Sequence, residues 1–270
     1  MNRYQLIFSD IDGTLLDSKQ HIRPKTKEYI LKLSAAGIPF ILVSCRMPPS
    51  VANIQRKIGL SAPFISYSGA LMYDENGRTI WDKPMNLKTA VLIRERIAAF
   101  SSNVVSYTFS ADSWITDKDD GTAALYLEKE TTDMRPLVGR PQDVLNENAP
   151  VHKVLCTGDE RLMDELQDRL HREFPSCTIF KSMSRYLEIM SAEASKSAAA
   201  AFLCRRLNID AKNVIAFGDN FNDTDLLEYA GLGVAMGNAP DPVKRAADLV
   251  APTNDEEGLR FVLEKLSIKG

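Results

Sequence analysis

Leu6-Ile7-Phe8 is an unbroken apolar run that stops at Ser9-Asp10, and a run so short and so wholly apolar predicts a strand covered on both faces, as in a parallel sheet. Pro24 opens a stretch with Ile30 and Leu33 on one face and Gly37 just past its end, the punctuation of a helix. Ile38 to Val43 predicts a second strand, Pro48-Pro49 the first turn of another helix, and Phe64 to Tyr67 a third strand. Leu71-Met72-Tyr73 and Thr79-Ile80-Trp81 flank Glu75-Asn76-Gly77-Arg78, which predicts a hairpin with Asn76-Gly77 as a type I′ turn. From about Met85 the rhythm changes. A helix carrying Ala90, Ile93, Ile97 and Phe100 on one stripe is followed by strand-like Val104–Phe109, Ala123–Leu127 and Val151–Cys156. A helix with Leu162, Leu166, Leu170 and Phe174 on one face follows, then strands Cys177–Phe180 and Tyr186–Met190. Beyond Lys196 the first rhythm resumes: a helix to Leu207, strand Val214–Phe217, a helix over Asp225–Tyr229, strand Gly233–Met236 and a last helix from Glu256.

Strands alternating with helices predict a doubly wound α/β core with a parallel sheet, split by an inserted, smaller α/β domain. We place the core at residues 1–84 and 190–270 and the insert at 85–189. A chain of 270 residues is long enough for both. Its 44% apolar and 26% charged residues are ordinary globular usage. Lys plus Arg number 33 against 36 Asp plus Glu; this balance argues against a nucleic-acid partner, which would need a basic face. Cys45, Cys156, Cys177 and Cys204 form no C-x-x-C pair, so neither a zinc site nor a disulfide framework is expected. The first residues lack a signal sequence and no run reaches the ~18 apolar residues of a membrane span. We therefore expect a cytoplasmic protein with no membrane partner; the sequence leaves the oligomeric state open, a monomer being compatible with it.

The chemistry sits at two strand ends. Asp10 and Asp12, with Gly13 next, form an i, i+2 acidic pair at the carboxyl end of a buried strand, where α/β proteins bind ligands. Gly218-Asp219-Asn220-Phe221-Asn222-Asp223 is a second acidic turn after a second buried strand. Neither is an EF-hand loop: Gly13 falls at position 4 rather than 6, and Phe221 occupies the third position of the other. Each could serve merely as a turn or helix cap. Carboxylates gathered together repel unless a cation lies among them, and magnesium favours such oxygen donors.

Strand-Asp10-x-Asp12-Gly13-Thr14, strand-Ser44, Lys196 opening a helix, and Gly218-Asp219-x-x-Asn222-Asp223 together resemble the four motifs of the haloacid dehalogenase superfamily. The ~150 residues between Ser44 and Lys196, and Gly237-Asn238-Ala239 after Met236, are similar to its Cof-type branch, which inserts a cap there. The resemblance implies a phosphatase dependent on Mg2+ that acts on small phosphate esters. In it Asp10 is the nucleophile that becomes an aspartyl-phosphate, and Asp12 is the general acid and base. The metal is held by Asp10, the Asp12 carbonyl, Asp219 and, directly or through water, Asp223. Ile11, Ser44, Cys45, Lys196 and Asn222 bind the phosphoryl group. A phosphomutase would use the same residues, and a receiver-like signalling domain would share most of them. Three positions depart from the pattern: Cys45 replaces a Gly, Ser68-Gly69-Ala70 replaces Asn-Gly-Ala, and Ser197 replaces the Gly after Lys196.

Overall fold

The computed structural model describes residues 3–118, 121, 132 and 134–266. Contacts divide the chain into two compact units, one of Met1–Cys45, Val51–Trp81 and Ser195–Gly270, the other of Arg46–Ser50 and Asp82–Ala194.

The first unit is built on an eight-stranded sheet. Its strands are β1 (Leu6–Ser9), β2 (Phe40–Val43), β3 (Phe64–Ser66), β4 (Leu71–Tyr73), β5 (Thr79–Asp82), β14 (Val214–Gly218), β15 (Leu232–Ala235) and β16 (Leu249–Val250), in the order β16-β15-β14-β1-β2-β3-β4-β5. Every pair from β16 to β3 is parallel. At β3 the direction reverses, β4 running antiparallel to it. Alternate residues feed two cores. Ile7, Phe40, Leu42, Ile215 and Phe217 pack on one face with Ile30, Leu33 and Ile54. Leu6, Phe8, Ile41, Val43, Val214 and Ala216 pack on the other with Ala199, Leu203 and Leu226. The strands read as continuous apolar runs because both faces are covered by helices. The class is therefore α/β with a parallel-rich sheet, as the alternation of elements predicts.

The turn joining β4 to β5 differs from the expected type I′. Gly77 has φ +75° but Asn76 does not enter the left-handed region. Instead the Asp74 carboxylate accepts from the amides of Asn76 (2.9 Å) and Arg78 (2.8 Å). That local acceptor favours a type I turn closed by a left-handed glycine.

The second unit carries a six-stranded sheet in the order β12-β13-β11-β7-β8-β9. These strands are Cys177–Met183 (β12), Tyr186–Ser191 (β13), Lys153–Thr157 (β11), Val105–Ser110 (β7), Ser113–Thr116 (β8) and Leu137–Val138 (β9). Helices Leu87–Phe100 and Glu160–Glu173 bury Ala90, Ile93, Ile97, Met163, Leu166 and Leu170 against Val154, Cys156, Leu187 and Ile189. The expected strand Val151–Cys156 is broken at His152. Its ring accepts the Ala111 amide at Nδ1 (3.0 Å) and meets Asp82 through Nε2 (2.9 Å), so Pro150–Val151 (β10) pairs separately with Met85–Asn86 (β6). The expected strand Ala123–Leu127 lies outside the described residues. Among the described residues no two cysteines form a disulfide, and no helix is long and apolar enough to cross a membrane.

Candidate active site

The position of Asp10 is set by β1. Asp10 follows Ser9, its amide donating to the Phe217 carbonyl of β14 (3.0 Å). In register, Ser9 lies beside Leu42 of β2 and Phe217 of β14. Ser44 and Cys45, two and three residues past Leu42, and Asp219, two past Phe217, thus leave the same carboxyl edge on either side of Asp10. Lys196 arrives there from elsewhere, as the first residue of the helix Lys196–Leu207, whose N-terminus is capped by Ser195 Oγ accepting from the Ala198 amide (3.0 Å).

After Asp10 the chain makes one wide turn, Ile11–Leu15, in which Gly13 has φ +79°. A Cβ there would lie 2.3 Å from Asp219 Oδ2, so glycine is demanded both by the left-handed backbone and by the closeness of that carboxylate. Thr14 Oγ1 donates to Asp219 Oδ1 (2.8 Å), joining the two acidic turns directly.

Four charged groups converge. Lys196 Nζ, fully buried, donates to Asp10 Oδ1 at 2.7 Å and to Asp223 Oδ1. Asp10, Asp219 and Asp223 each offer an oxygen within 4.8 Å of the others'. Asp223 also closes its own turn, Oδ2 accepting from the amides of Asp219 (3.0 Å) and Asn220 (2.9 Å). Burial first, then its neighbours Asp223, Asp219 and Asp12, hold the Asp10 carboxyl well above its ordinary value, against the pull of Lys196. Asp219 is pushed up to about 7 by burial and by Asp223. Burial alone would lower Lys196, but Asp10 and Asp223 outweigh it and keep it firmly cationic. The cluster holds more negative charge than one ammonium offsets, and the donors are all oxygens: a hard divalent cation fits it.

The expected residues divide as follows. Lys196 bonds to Asp10 and Asp223, and Asp219 offers an oxygen within 4.8 Å of theirs. The Asp12 side chain is outside the three-carboxylate group, near enough for its charge to raise Asp10 and Asp219. Ser44 is buried and tied to the next loop, its carbonyl accepting the Ser68 amide (2.9 Å). Cys45 does not occupy the left-handed region that would require a glycine. Ile11, Ser44, Cys45 and Asn222 share the sheet edge with the acids by their place in the chain. Thr14 and Asn238 were not singled out by their own chemistry; the hydroxyl following Gly13 and the amide after β15 were the available signals. Asn238 Nδ2 donates to the Gly13 carbonyl (2.9 Å).

In sequence and fold the chain is similar to known proteins. The profile of the haloacid dehalogenase-like hydrolases covers residues 7–263. The chain belongs to that family. A Haemophilus influenzae protein carrying a provisional phosphatase name is 35% identical over 262 residues, covering 97% of this chain and 98% of that one. A crystal structure of a Thermotoga maritima protein superposes with a TM-score of 0.85 at 31% identity, over 97% of each chain. A haloacid dehalogenase-like hydrolase from Bacteroides thetaiotaomicron gives 0.87 at 25%, over 97% of this chain and 99% of that one. The family member is an enzyme of the phosphatase class.

Proposed function

We propose that this hydrolase is a Mg2+-dependent phosphatase that cleaves small phosphate monoesters, such as sugar phosphates or phosphorylated cofactors, through an aspartyl-phosphate on Asp10. The observation that carries the reading is the clustering of the Asp10, Asp219 and Asp223 carboxylates, with buried Lys196 bonded to Asp10 and Asp223. In the first step an Asp10 oxygen bonds to phosphorus as the ester oxygen leaves, and Asp12 gives that oxygen its proton. In the second, Asp12 takes a proton from water, whose oxygen attacks phosphorus, releasing phosphate and restoring the Asp10 carboxylate. Lys196 offsets the charge of Asp10 and of the phosphoryl oxygens, and Ser44, Asn222 and the backbone at Ile11 and Cys45 orient those oxygens. Asp10, the Asp12 carbonyl and Asp219 would hold the magnesium, which supplies charge neutralisation between two anions that must meet. Asp223 is already engaged with Lys196 and two amides, which suits a ligand acting through water better than a direct one. Residues 1–84 and 190–270 would carry this chemistry and 85–189 would form the cap that selects the leaving group. We assign no nucleic-acid partner and a cytoplasmic setting on the strength of composition.

The test is a screen of phosphate monoesters, with and without magnesium, scored by released phosphate, with Asp10→Asn as control. The proposal expects magnesium-dependent release that the variant abolishes. Release that is unaffected by chelation, or that survives in Asp10→Asn near the wild-type rate, would defeat it.

A further inference from the structure

Asn238 stands three residues past β15 and makes contact with three separate loops. Its Nδ2 donates to the Gly13 carbonyl at 2.9 Å and reaches Asp219 Oδ2 at 3.5 Å. Its Oδ1 accepts from the Asn254 amide at 3.1 Å. Asn254 in turn sends its own Nδ2 to the Leu16 carbonyl at 2.9 Å. The nucleophile turn Ile11–Leu15 is thereby gripped at its middle, Gly13, and just past its end, at Leu16, by two asparagines joined through the Asn254 backbone amide. The Asn254 segment is not loose. Glu256 caps it, accepting from the Thr253 amide (3.0 Å) and hydroxyl (2.8 Å), and Asp255 Oδ1 accepts the Ser18 amide (2.9 Å) from the far side of the same turn.

We propose that Asn238 and Asn254 are positioning residues: acting through Gly13 and Asp219, they set the distance between the nucleophile turn and the second acidic turn, and so the affinity for the divalent cation. This rests on the magnesium reading above. The physical reason is that neither acidic turn is held by its own strand alone. Thr14 joins them at Asp219 Oδ1, and without a donor at Oδ2 that carboxylate is free to pivot about the Thr14 bond. An amide is suited to the place because it donates to a carbonyl and a carboxylate while accepting an amide, a combination that neither a carboxylate nor a hydroxyl can supply. Outer-shell partners of this kind typically change metal affinity or activity by ~10- to 100-fold.

The test measures Mn2+ binding to metal-free protein by calorimetry and by the loss of the free-ion electron paramagnetic resonance signal, for wild type, Asn238→Ala, Asn254→Ala and the double variant. We expect Asn238→Ala to bind about 10-fold more weakly and Asn254→Ala to be weakened less. The double variant should bind at least as weakly as Asn238→Ala, because Asn254→Ala keeps the backbone amide from which Asn238 accepts and loses only the separate bond to Leu16. The metal-free melting temperature should stay near that of wild type. Saturating magnesium should restore kcat while the half-saturating concentration rises, which separates positioning from a role in the chemical step. Unchanged Mn2+ affinity in Asn238→Ala, or a double variant that binds more tightly than Asn238→Ala, would overturn the inference while leaving the phosphatase reading intact. A wild-type protein that binds no Mn2+ would overturn both.

Discussion

Gly13→Ala gives a test of the site whose size follows from the backbone, and Gly37→Ala is its matched control. The two glycines have nearly the same φ, +79° and +80°, so alanine costs about 1 kcal/mol at each from the positive φ alone. At Gly37 nothing lies within 4 Å of the added Cβ. At Gly13 the new carbon would fall 2.3, 2.7 and 2.9 Å from Oδ2, Cγ and Oδ1 of Asp219. Contact would require that carboxylate to retreat by roughly 1 Å, and a displacement of that size costs ~10²-fold in rate. Gly37→Ala should therefore lower the melting temperature by about 2–4 °C and leave turnover of an aryl phosphate and Mn2+ affinity as in wild type. Gly13→Ala should lose turnover by ~10²-fold or more and bind Mn2+ about 10-fold more weakly or worse. Differential scanning calorimetry, a phosphate-release assay and Mn2+ titration read the three quantities. If Gly13→Ala kept wild-type metal affinity and turnover, the juxtaposition of the two acidic turns would be wrong.

Lys196→Met leaves Asp10 and Asp223 buried without their cation. It should destabilise the protein by about 3 kcal/mol and cut turnover by ~10²- to 10³-fold, measured by denaturant titration and phosphate release; a variant as stable and active as wild type would exclude the ion pair. Asp219 has an ordinary value of 3.8 raised to about 7, so in metal-free protein the folded state keeps a proton that the unfolded chain has released. The contribution of this group to stability is thus lost as pH climbs from about 4 through about 7. Asp219→Asn should accordingly gain metal-free thermal stability over wild type as pH rises from 5 to 8, and added magnesium should reverse the order; parallel melting curves at both pH values would contradict this. Ser68 sits at φ 47°, ψ 36° with a side chain poorly suited to that region, whereas asparagine enters it readily. Ser68→Asn should raise the melting temperature slightly, and a clear drop would show that the serine is there for packing.

The strands that carry the site were legible because each is a solid apolar run ending in a polar turn: Leu6–Phe8 before Asp10 and Val214–Phe217 before Asp219 declare both the buried strand and its functional end. Helix limits were legible where chemistry marks them, as at Pro24 and Gly37. What escaped reading depended on partners distant in the chain. The Asn76-Gly77 turn was misjudged because the Asp74 carboxylate, not the glycine pair, decides its type. The break at His152 depends on Asp82, seventy positions earlier. The short strand Ser113–Thr116 shows little periodicity, Trp114 being buried beside Phe109. At the site, the acids and Lys196 could be named from their motifs. The bridges from Thr14 to Asp219 and from Asn238 to Gly13 could not, since each spans more than two hundred residues and uses groups that are ordinary in any turn.

The central claim, that Asp10 takes the phosphoryl group, is tested most directly by trapping it. Protein with magnesium is mixed with an aryl phosphate carrying labelled phosphorus, quenched in acid within the first turnover, digested and mapped. Hydroxylamine sensitivity identifies an acyl phosphate, and Asp12→Asn, which should slow the water step, is run alongside to raise its yield. The account predicts an acid-stable, hydroxylamine-labile label on the peptide holding Asp10, more abundant in Asp12→Asn and missing from Asp10→Asn. Turnover with no such label in either the wild type or Asp12→Asn, or a label on another residue, would contradict it.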